Sequence, residues 1–344
     1  MRIIVDAMGG DLAPQAPIQG AVMAYQKYGC AITLVGQKEV ISAKLKTCGL
    51  RSVPPEIEIV DAREVVEICD DPATAFKTKK DSSLTVGLTR LRDGEGDGFV
   101  SAGSTGALLA GATLVTKRIR GLRRAAMAPV LPTANGHLLL LDCGANAECT
   151  VEYLVQFAYL GNFYAKHILG IETPRVGLLN IGAEPSKGDT LRRETYLALR
   201  EADQAGDLLF VGNVEANTAL DGACDVLVAD GYSGNIMLKT IEGTAKLISK
   251  KLKREFMRNL KTKLCALGMK KGVGALRAML DPNRIGGTAF LGISKPVIKA
   301  HGSSNAEAFC NAIHQAMLFA ESGIIEEIEK NVDKMKVETV KENR

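Results

Sequence analysis

The chain is expected to be an α/β protein: a mostly parallel β-sheet with helices on both faces, giving three layers. Three observations predict this. Short apolar runs recur at residues 3–5, 31–35, 57–60, 99–100, 138–141, 176–179, 208–211, 226–228 and 297–299, as strands require. Helix-length segments with apolar residues at helical spacing lie between most of them, at 14–28, 84–92, 151–168 and 189–205. The runs repeatedly end in glycine mixed with small polar residues: VDAMGGD from Val5, VSAGSTGA from Val100, LLDCGAN from Leu140, LLNIGAEPSKG from Leu178, FVGNVEAN from Phe210, VADGYSGN from Val228 and IKAHGSSN from Ile298. Strand and helix in alternation imply parallel pairing covered on both sides. Ligands of such sheets collect at the carboxyl ends of the strands. The glycine clusters are therefore expected to converge there and to bind a small anion through backbone amides.

The elements follow in order. The first strand opens without the basic, apolar and small-residue pattern of a secretory signal, so a cytoplasmic protein is expected. Asp6 and Asp11 flank Gly9 and Gly10, either as part of an anion loop or as a turn capped by aspartate. Lys80, Ser82 and Ser83 precede the 84–92 helix, whose N-terminus could hold phosphate; taken in isolation, an ordinary N-cap at Asp81 or a serine explains them better. The uncharged stretch 98–116 approaches a membrane span in length, but its Gly, Ser and Thr content and its turn at Ser104, Thr105 and Gly106 fit a buried turn and helix better. Ala112-Thr113 follows the pair Gly106 and Gly111 where a P-loop needs Lys-Ser/Thr, so ATP binding is not indicated.

Asp142 and Asn146 bracket Gly144. Between them Cys143 reads as a small buried residue in preference to an acyl-accepting nucleophile. Lys187 can neutralise an anion as a point charge while Asn180 orients it, unless it is a solvated surface lysine. Gly234 and Asn235 close the next cluster. His301, Ser303 and Ser304 offer an imidazole and hydroxyl donors before a helix, or a satisfied structural histidine. Phe309, Ile313, Leu318, Ile324, Ile325 and Ile328 mark one or two C-terminal helices. Residues 1–329 are taken as one domain, with a helical excursion at about 240–285 and a frayed, charged tail at 330–344.

With 46% hydrophobic and 24% charged residues among 344, the composition is that of a soluble globular protein. Eight cysteines without a CxxC pair and four histidines without HExxH spacing favour free thiols; no metal or cofactor is expected. The charge is uneven. Between 246 and 277 eleven Lys or Arg face one acid, Glu255, so this segment carries +10 in a chain of net +4. On a single helix Ile248, Leu252, Phe256, Leu260, Leu264 and Leu267 form an apolar stripe, opposite Lys250, Lys251, Arg254, Arg258 and Lys261. Such a helix packs on its own subunit or a mate, docks on an anionic membrane, or attracts an acidic partner. Nucleic acid is disfavoured, since aromatics are 5% and no binding motif appears. The glycines at 272 and 274 lack a third at Arg277, so no dinucleotide fingerprint is formed.

Taken together, VDAMGGDLAP, KKDSS, SAGSTGA, LLDCGAN, NIGAEPSKG, GNVEAN, ADGYSGN, LKTIEG, IGGTAFLG and IKAHGSSNA closely resemble the bacterial acyl-carrier-protein:phosphate acyltransferase family of phospholipid synthesis. The resemblance runs from residue 3 to about 315. It implies attack of inorganic phosphate on the thioester of a fatty acyl-carrier protein, giving acyl phosphate for a membrane-bound acylphosphate:glycerol-3-phosphate acyltransferase. It also implies a homodimer, a sandwich similar to isocitrate and isopropylmalate dehydrogenases, and docking of the basic helices on the inner face of the membrane. Lys187 would hold phosphate, Asn235 would donate to substrate or oxyanion, and His301 would polarise. Ser104 stands where the family usually has Asn, Ala183 where it often has an acid, and IGGTAFLG, with Thr288, where YGGAPLLG is common. The rivals are a phosphotransacetylase-like enzyme using short-chain acyl-CoA, a dehydrogenase on the related fold, and a non-catalytic membrane-associated scaffold.

Overall fold

The computed structural model describes residues 1–50, 52–269, 271, 272, 274 and 286–337. Strand β1 (Arg2–Asp6) is apolar between Arg2 and Asp6 and pairs in parallel with β2 (Ala31–Gly36) and β4 (Gly98–Ser101). With β3 (Ile57–Asp61), β5 (Ala126–Ala128), β11 (Thr288–Leu291) and β12 (Val297–Lys299) they form a seven-stranded sheet in the order β3-β2-β1-β4-β12-β11-β5. Its pairs are parallel except for the two made by β11. A second sheet has the order β6-β7-β10-β8-β9, from β6 (Val130–Thr133), β7 (Gly136–Leu141), β8 (Arg175–Asn180), β9 (Leu209–Glu215) and β10 (Val226–Val228). There β6 is the antiparallel strand. Strands β5, β6 and β11 had no counterpart among the expected apolar runs, because Ala-Met-Ala and strands interrupted by Pro or Thr carry little hydrophobic signal.

The two sheets meet at Pro129, between β5 and β6. Proline has no N–H to give to a ladder, while its carbonyl still accepts from Leu140 N at 3.0 Å. Moving back from Pro129 along β5, the partners advance along β7 and its turn: Met127 N donates to Asp142 Oδ1 at 2.9 Å and Asn146 Nδ2 to Ala125 O at 2.8 Å. The segment after β7 thus runs antiparallel to β5, and β5 runs in the direction of β12 through their shared neighbour β11. The parallel strands of the two sheets therefore point in opposite senses. Not all the glycine clusters can converge on one end, which corrects the expectation drawn from a single sheet.

Helix α1 (Gln15–Tyr28) packs on α11 (Ala306–Glu321), and α6 (Val151–His167) packs on α7 (Thr190–Gln204) and on the second sheet. Between them lie Tyr164 and Phe319, edge to face at 6.1 Å. After α12 (Ile324–Asn331) the chain stays in the core: Val332 and Met335 are buried in a short 3₁₀ turn. Residues 330–337, part of the expected frayed tail, are thus held against the core through Val332 and Met335, and 338–344 lie outside the described residues.

Helix α9 (Gly231–Phe256) buries Gly231, Gly234 and Met237 near its start. The expected single apolar stripe is broken at Met257. Asn259 caps α10 (Leu260–Gly268) in a capping box with Thr262, satisfying donors at both positions and starting a new helix. Ile248, Leu260, Leu264 and Leu267 are exposed, Leu260 to 79%, while Leu252 and Phe256 are half-buried. Lys250, Lys251, Arg254 and Arg258 are exposed. The rest of the expected excursion, at 270, 273 and 275–285 and including Arg277, lies outside the described residues. No described helix is long and apolar enough to cross a membrane.

Candidate active site

The glycine clusters form two groups. The first sits where β1, β4 and β12 end. Asp6 is buried; its Oδ2 accepts from Ser101 Oγ at 2.7 Å and its Oδ1 from Met8 N at 3.1 Å, so it closes a turn. Gly9 and Gly10 lie hard against the neighbouring strand end. A Cβ on Gly9 would come 2.5 Å from Asp6 Oδ2, and one on Gly10, at φ +103°, 2.8 Å from Ala102 Cβ. Together with Ser104, Thr105, Gly302 and residues 65–68 they line a cleft of about 450 Å³. Ser104 caps α5 (Thr105–Gly111), its Oγ accepting from Ala107 N.

A residue the sequence reading passed over sits in this cleft. Lys299, the last residue of β12, is 8% exposed and lines the cavity. Its Nζ donates to Ala102 O and Ala300 O, and burial pulls its pKa down to about 8 against the opposing pull of Asp6 and Asp11. The available signal was alternation: Lys299 shares the strand face of buried Val297.

The second group sits where β7, β8 and β10 end. Asp142 is buried, and its carboxylate accepts from the amides of Met127, Cys143, Ala145 and Asn146 and from Asn146 Nδ2. Burial raises its pKa even so. The start of α9 presses on this turn: a Cβ on Gly234 would lie 1.9 Å from Asp142 O. This close approach sets half-buried Asn235 beside Gly144, whose ideal Cβ would lie 3.7 Å from Asn235 Cγ. Asn180 Oδ1 accepts from Ile181 N at 2.8 Å and its Nδ2 donates to Lys187 O at 3.2 Å. Asn213 Nδ2 donates to Glu184 O at 2.9 Å. The turn that carries Lys187 is thus braced at both ends. Lys187 itself is exposed and makes no ion pair among the described residues.

Arg192 joins the parts of this second group and was not foreseen. It pairs with Asp189, the N-cap of its own helix, at 2.7 Å, and crosses to Asp230 and Ser233 at the start of α9. A cation in the first turn of a helix opposes the macrodipole, which was the signal in the sequence.

The other expected residues flank the first group: Ser83 N donates to Glu64 O at 3.3 Å, next to cleft residues 65–68, and Asp11 N to Gly302 O at 2.8 Å. Ser82 is fully buried as the N-cap of α4 (Ser83–Arg92), donating to Lys79 O and accepting from Thr85 N; Ser83 is buried and Lys80 exposed. His301 is exposed, and its Nδ1 accepts from Ser303 N at 3.3 Å. Ser304 is buried, and Asn305 caps α11. Cys143 is buried with its thiol pKa pushed up, so it is not a thiolate nucleophile. All eight cysteines are free. Among the described residues no hydrogen bond joins the first group directly to the second.

Chemically, the second group presents one free ammonium, a side-chain amide and a glycine turn. These are the parts needed to hold an oxyanion and stabilise its charge. A family model described as a fatty acid synthesis protein matches residues 1–327. The chain belongs to that family. A phosphate acyltransferase of Thermoanaerobacter pseudethanolicus is 44% identical over 336 residues, covering 97% of this chain and 98% of the relative. One of Lysinibacillus sphaericus is 43% identical over 340 residues, covering 98% and 100%. In fold the chain is similar to a phosphotransacetylase from Streptococcus pyogenes, with a TM-score of 0.62, 17% identity, and 93% and 94% of the two chains covered. Lys187 and Asn235 thus sit on a fold similar to that of a phosphotransacetylase.

Proposed function

We propose that this protein is an acyl-carrier-protein:phosphate acyltransferase of phospholipid synthesis, as its full-length relatives are named phosphate acyltransferases. A phosphate oxygen attacks the thioester carbonyl of a fatty acyl-carrier protein. The C–S bond breaks as the tetrahedral oxyanion collapses, and acyl phosphate and the carrier thiolate, which takes a proton from solvent, are released. Phosphate is the nucleophile and a thiolate leaves readily, so positioning and charge stabilisation do most of the work and no cofactor is needed.

The observation that carries the site assignment is Lys187: exposed, free of ion pairs among the described residues, and fixed on a turn braced by Asn180 and Asn213. Lys187 holds phosphate, and Asn235 donates to the oxyanion. Asn146, Asn180 and Gly234 shape their support. The cleft lined by Gly9, Gly10, Ser104 and Thr105, backed by Asp6 and flanked by Gly106, with His301, Ser303 and Ser304 on the neighbouring strand end, contributes to substrate binding, and Lys80, Ser82 and Ser83 support its rim. The protein acts as a homodimer at the cytoplasmic face of the membrane, where exposed Ile248, Leu260 and Leu264 and the cations beside them meet anionic lipid. There it hands acyl phosphate to a membrane-bound acyltransferase.

The test is phosphate-dependent loss of a long-chain acyl-carrier thioester, with acyl hydroxamate trapped from the product and a short-chain acyl-CoA run alongside. Lys187→Ala is expected to cut turnover by roughly 10³-fold with unchanged circular dichroism and oligomeric state. Near-normal turnover removes Lys187 from the site; phosphate-independent thioester loss removes the reaction itself, and preference for acyl-CoA moves the assignment to a phosphotransacetylase.

A further inference from the structure

Away from α9 lies a second concentration of positive charge. From 98 to 141 the chain contains no acid, yet it carries Lys117, Arg118, Arg120, Arg123 and Arg124. Lys117, Arg120, Arg123 and Arg124 are exposed and Arg118 half-buried. Among the described residues only Arg123 is in an ion pair, with Glu152 at 3.0 Å; Arg124 lies over the Tyr153 ring.

The loop that carries them is held rigidly. Ile119 and Leu122 are buried as its anchors. Ile119 N donates to Gly292 O at 3.0 Å, Ser294 N to Lys117 O at 3.0 Å, and Arg123 N to Gln156 Oε1 at 2.9 Å. Gly121 has φ +96°, and a Cβ there would lie 2.2 Å from Val332 Cγ1. Cations held in place lose less freedom on binding than cations on a mobile loop.

Its position relates it to the second group. Ala125, one residue beyond the loop, accepts from Asn146 Nδ2 at 2.8 Å. A groove of about 700 Å³ runs from Gly121 and Arg123 past Thr150 to Leu191 and Lys336; it also contains Glu152, paired with Arg123, and Glu194, so the excess of positive charge lies on the loop beside the groove. Thr150 lies four residues after Asn146, and Leu191 four after Lys187, so the chain keeps the groove within about 14 Å of the turns assigned to the reaction.

We propose that the Lys117–Arg124 loop and this groove are the docking surface for an acidic protein face, that of the acyl-carrier substrate. The choice rests on charge and shape. Arginine's planar fork suits bidentate pairing with carboxylates. The loop's apolar residues are turned inward, which leaves it nothing to insert into a bilayer. The surface deepens the phosphate acyltransferase reading by giving its macromolecular substrate a place beside Lys187.

The experiment measures steady-state kinetics of the full chain with long-chain acyl-carrier protein and, separately, with the same acyl group on pantetheine. The variants are Arg120→Glu, Arg124→Glu and the double variant. KM for the carrier substrate is expected to rise roughly tenfold or more in the double variant, most sharply at low salt. The acyl-pantetheine reaction, the KM for phosphate and the oligomeric state are expected to stay as in the parent. A carrier KM within twofold of the parent overturns the docking surface. So does an equal loss with acyl-pantetheine, a change of oligomeric state, or a loss of vesicle binding with carrier kinetics intact. If the parent protein shows no phosphate-dependent thioester loss, the acyltransferase reading fails on its own.

Discussion

Arg192, in the first turn of the helix after the Lys187 turn, reaches across to Asp230, the N-cap of the helix that carries Asn235. One guanidinium therefore sets the spacing between the two residues assigned to phosphate and oxyanion. Arg192→Met is expected to reduce kcat/KM by roughly 10²-fold, as a displacement of about 1 Å can. Leaving buried Asp230 without its partner is expected to cost about 3 kcal/mol of stability. Arg192→Lys should recover most of the stability and less of the rate. Urea unfolding and steady-state kinetics separate these effects, and a methionine variant with unaltered kinetics refutes the bracing role.

Gly234 tests the same joint from the other side. An added Cβ would lie 1.9 Å from Asp142 O, so Gly234→Ala must push the start of α9 away from the β7 turn. Turnover is expected to fall by about 10²-fold, with the melting temperature lowered. Gly243→Ala, on the same helix with nothing within 4 Å of its ideal Cβ, should be harmless or mildly stabilising.

Lys299 makes a prediction about pH. Its pKa in the fold is lowered to about 8, by burial, from an unfolded value near 10.4. Below pH 8 the buried ammonium costs stability in full. Between about 8 and 10.4 the unfolded chain binds the extra proton, so stability rises with pH through that window. Lys299→Met should remove this rise, which amounts to ~3 kcal/mol by linkage. Urea titrations of both proteins at pH 7 and pH 10 measure it. Equal pH dependence in the two would show that Lys299 is not held as described.

Membrane docking by α9 and α10 is tested by flotation with vesicles containing anionic lipid. Leu260→Asp with Leu264→Asp is expected to abolish flotation while leaving turnover in solution unchanged, because neither side chain is buried in the fold. Retained flotation, or flotation indifferent to anionic lipid, counts against this surface.

Strand-helix alternation, the glycine clusters that end the strands and the motif order were sufficient to predict the α/β class and the family, and to name Lys187 and Asn235 as candidates. These are local or periodic features, written in neighbouring residues. The tertiary structure alone decided where the chain changes sheets at Pro129, and hence that the glycine clusters divide into two groups. It also decided that Lys299 is buried and that Arg192 spans two helix starts. Such facts depend on pairings between residues distant in the chain, such as Met127 with Asp142 or Arg192 with Asp230, and hydrophobic spacing carries no record of which strand lies beside which.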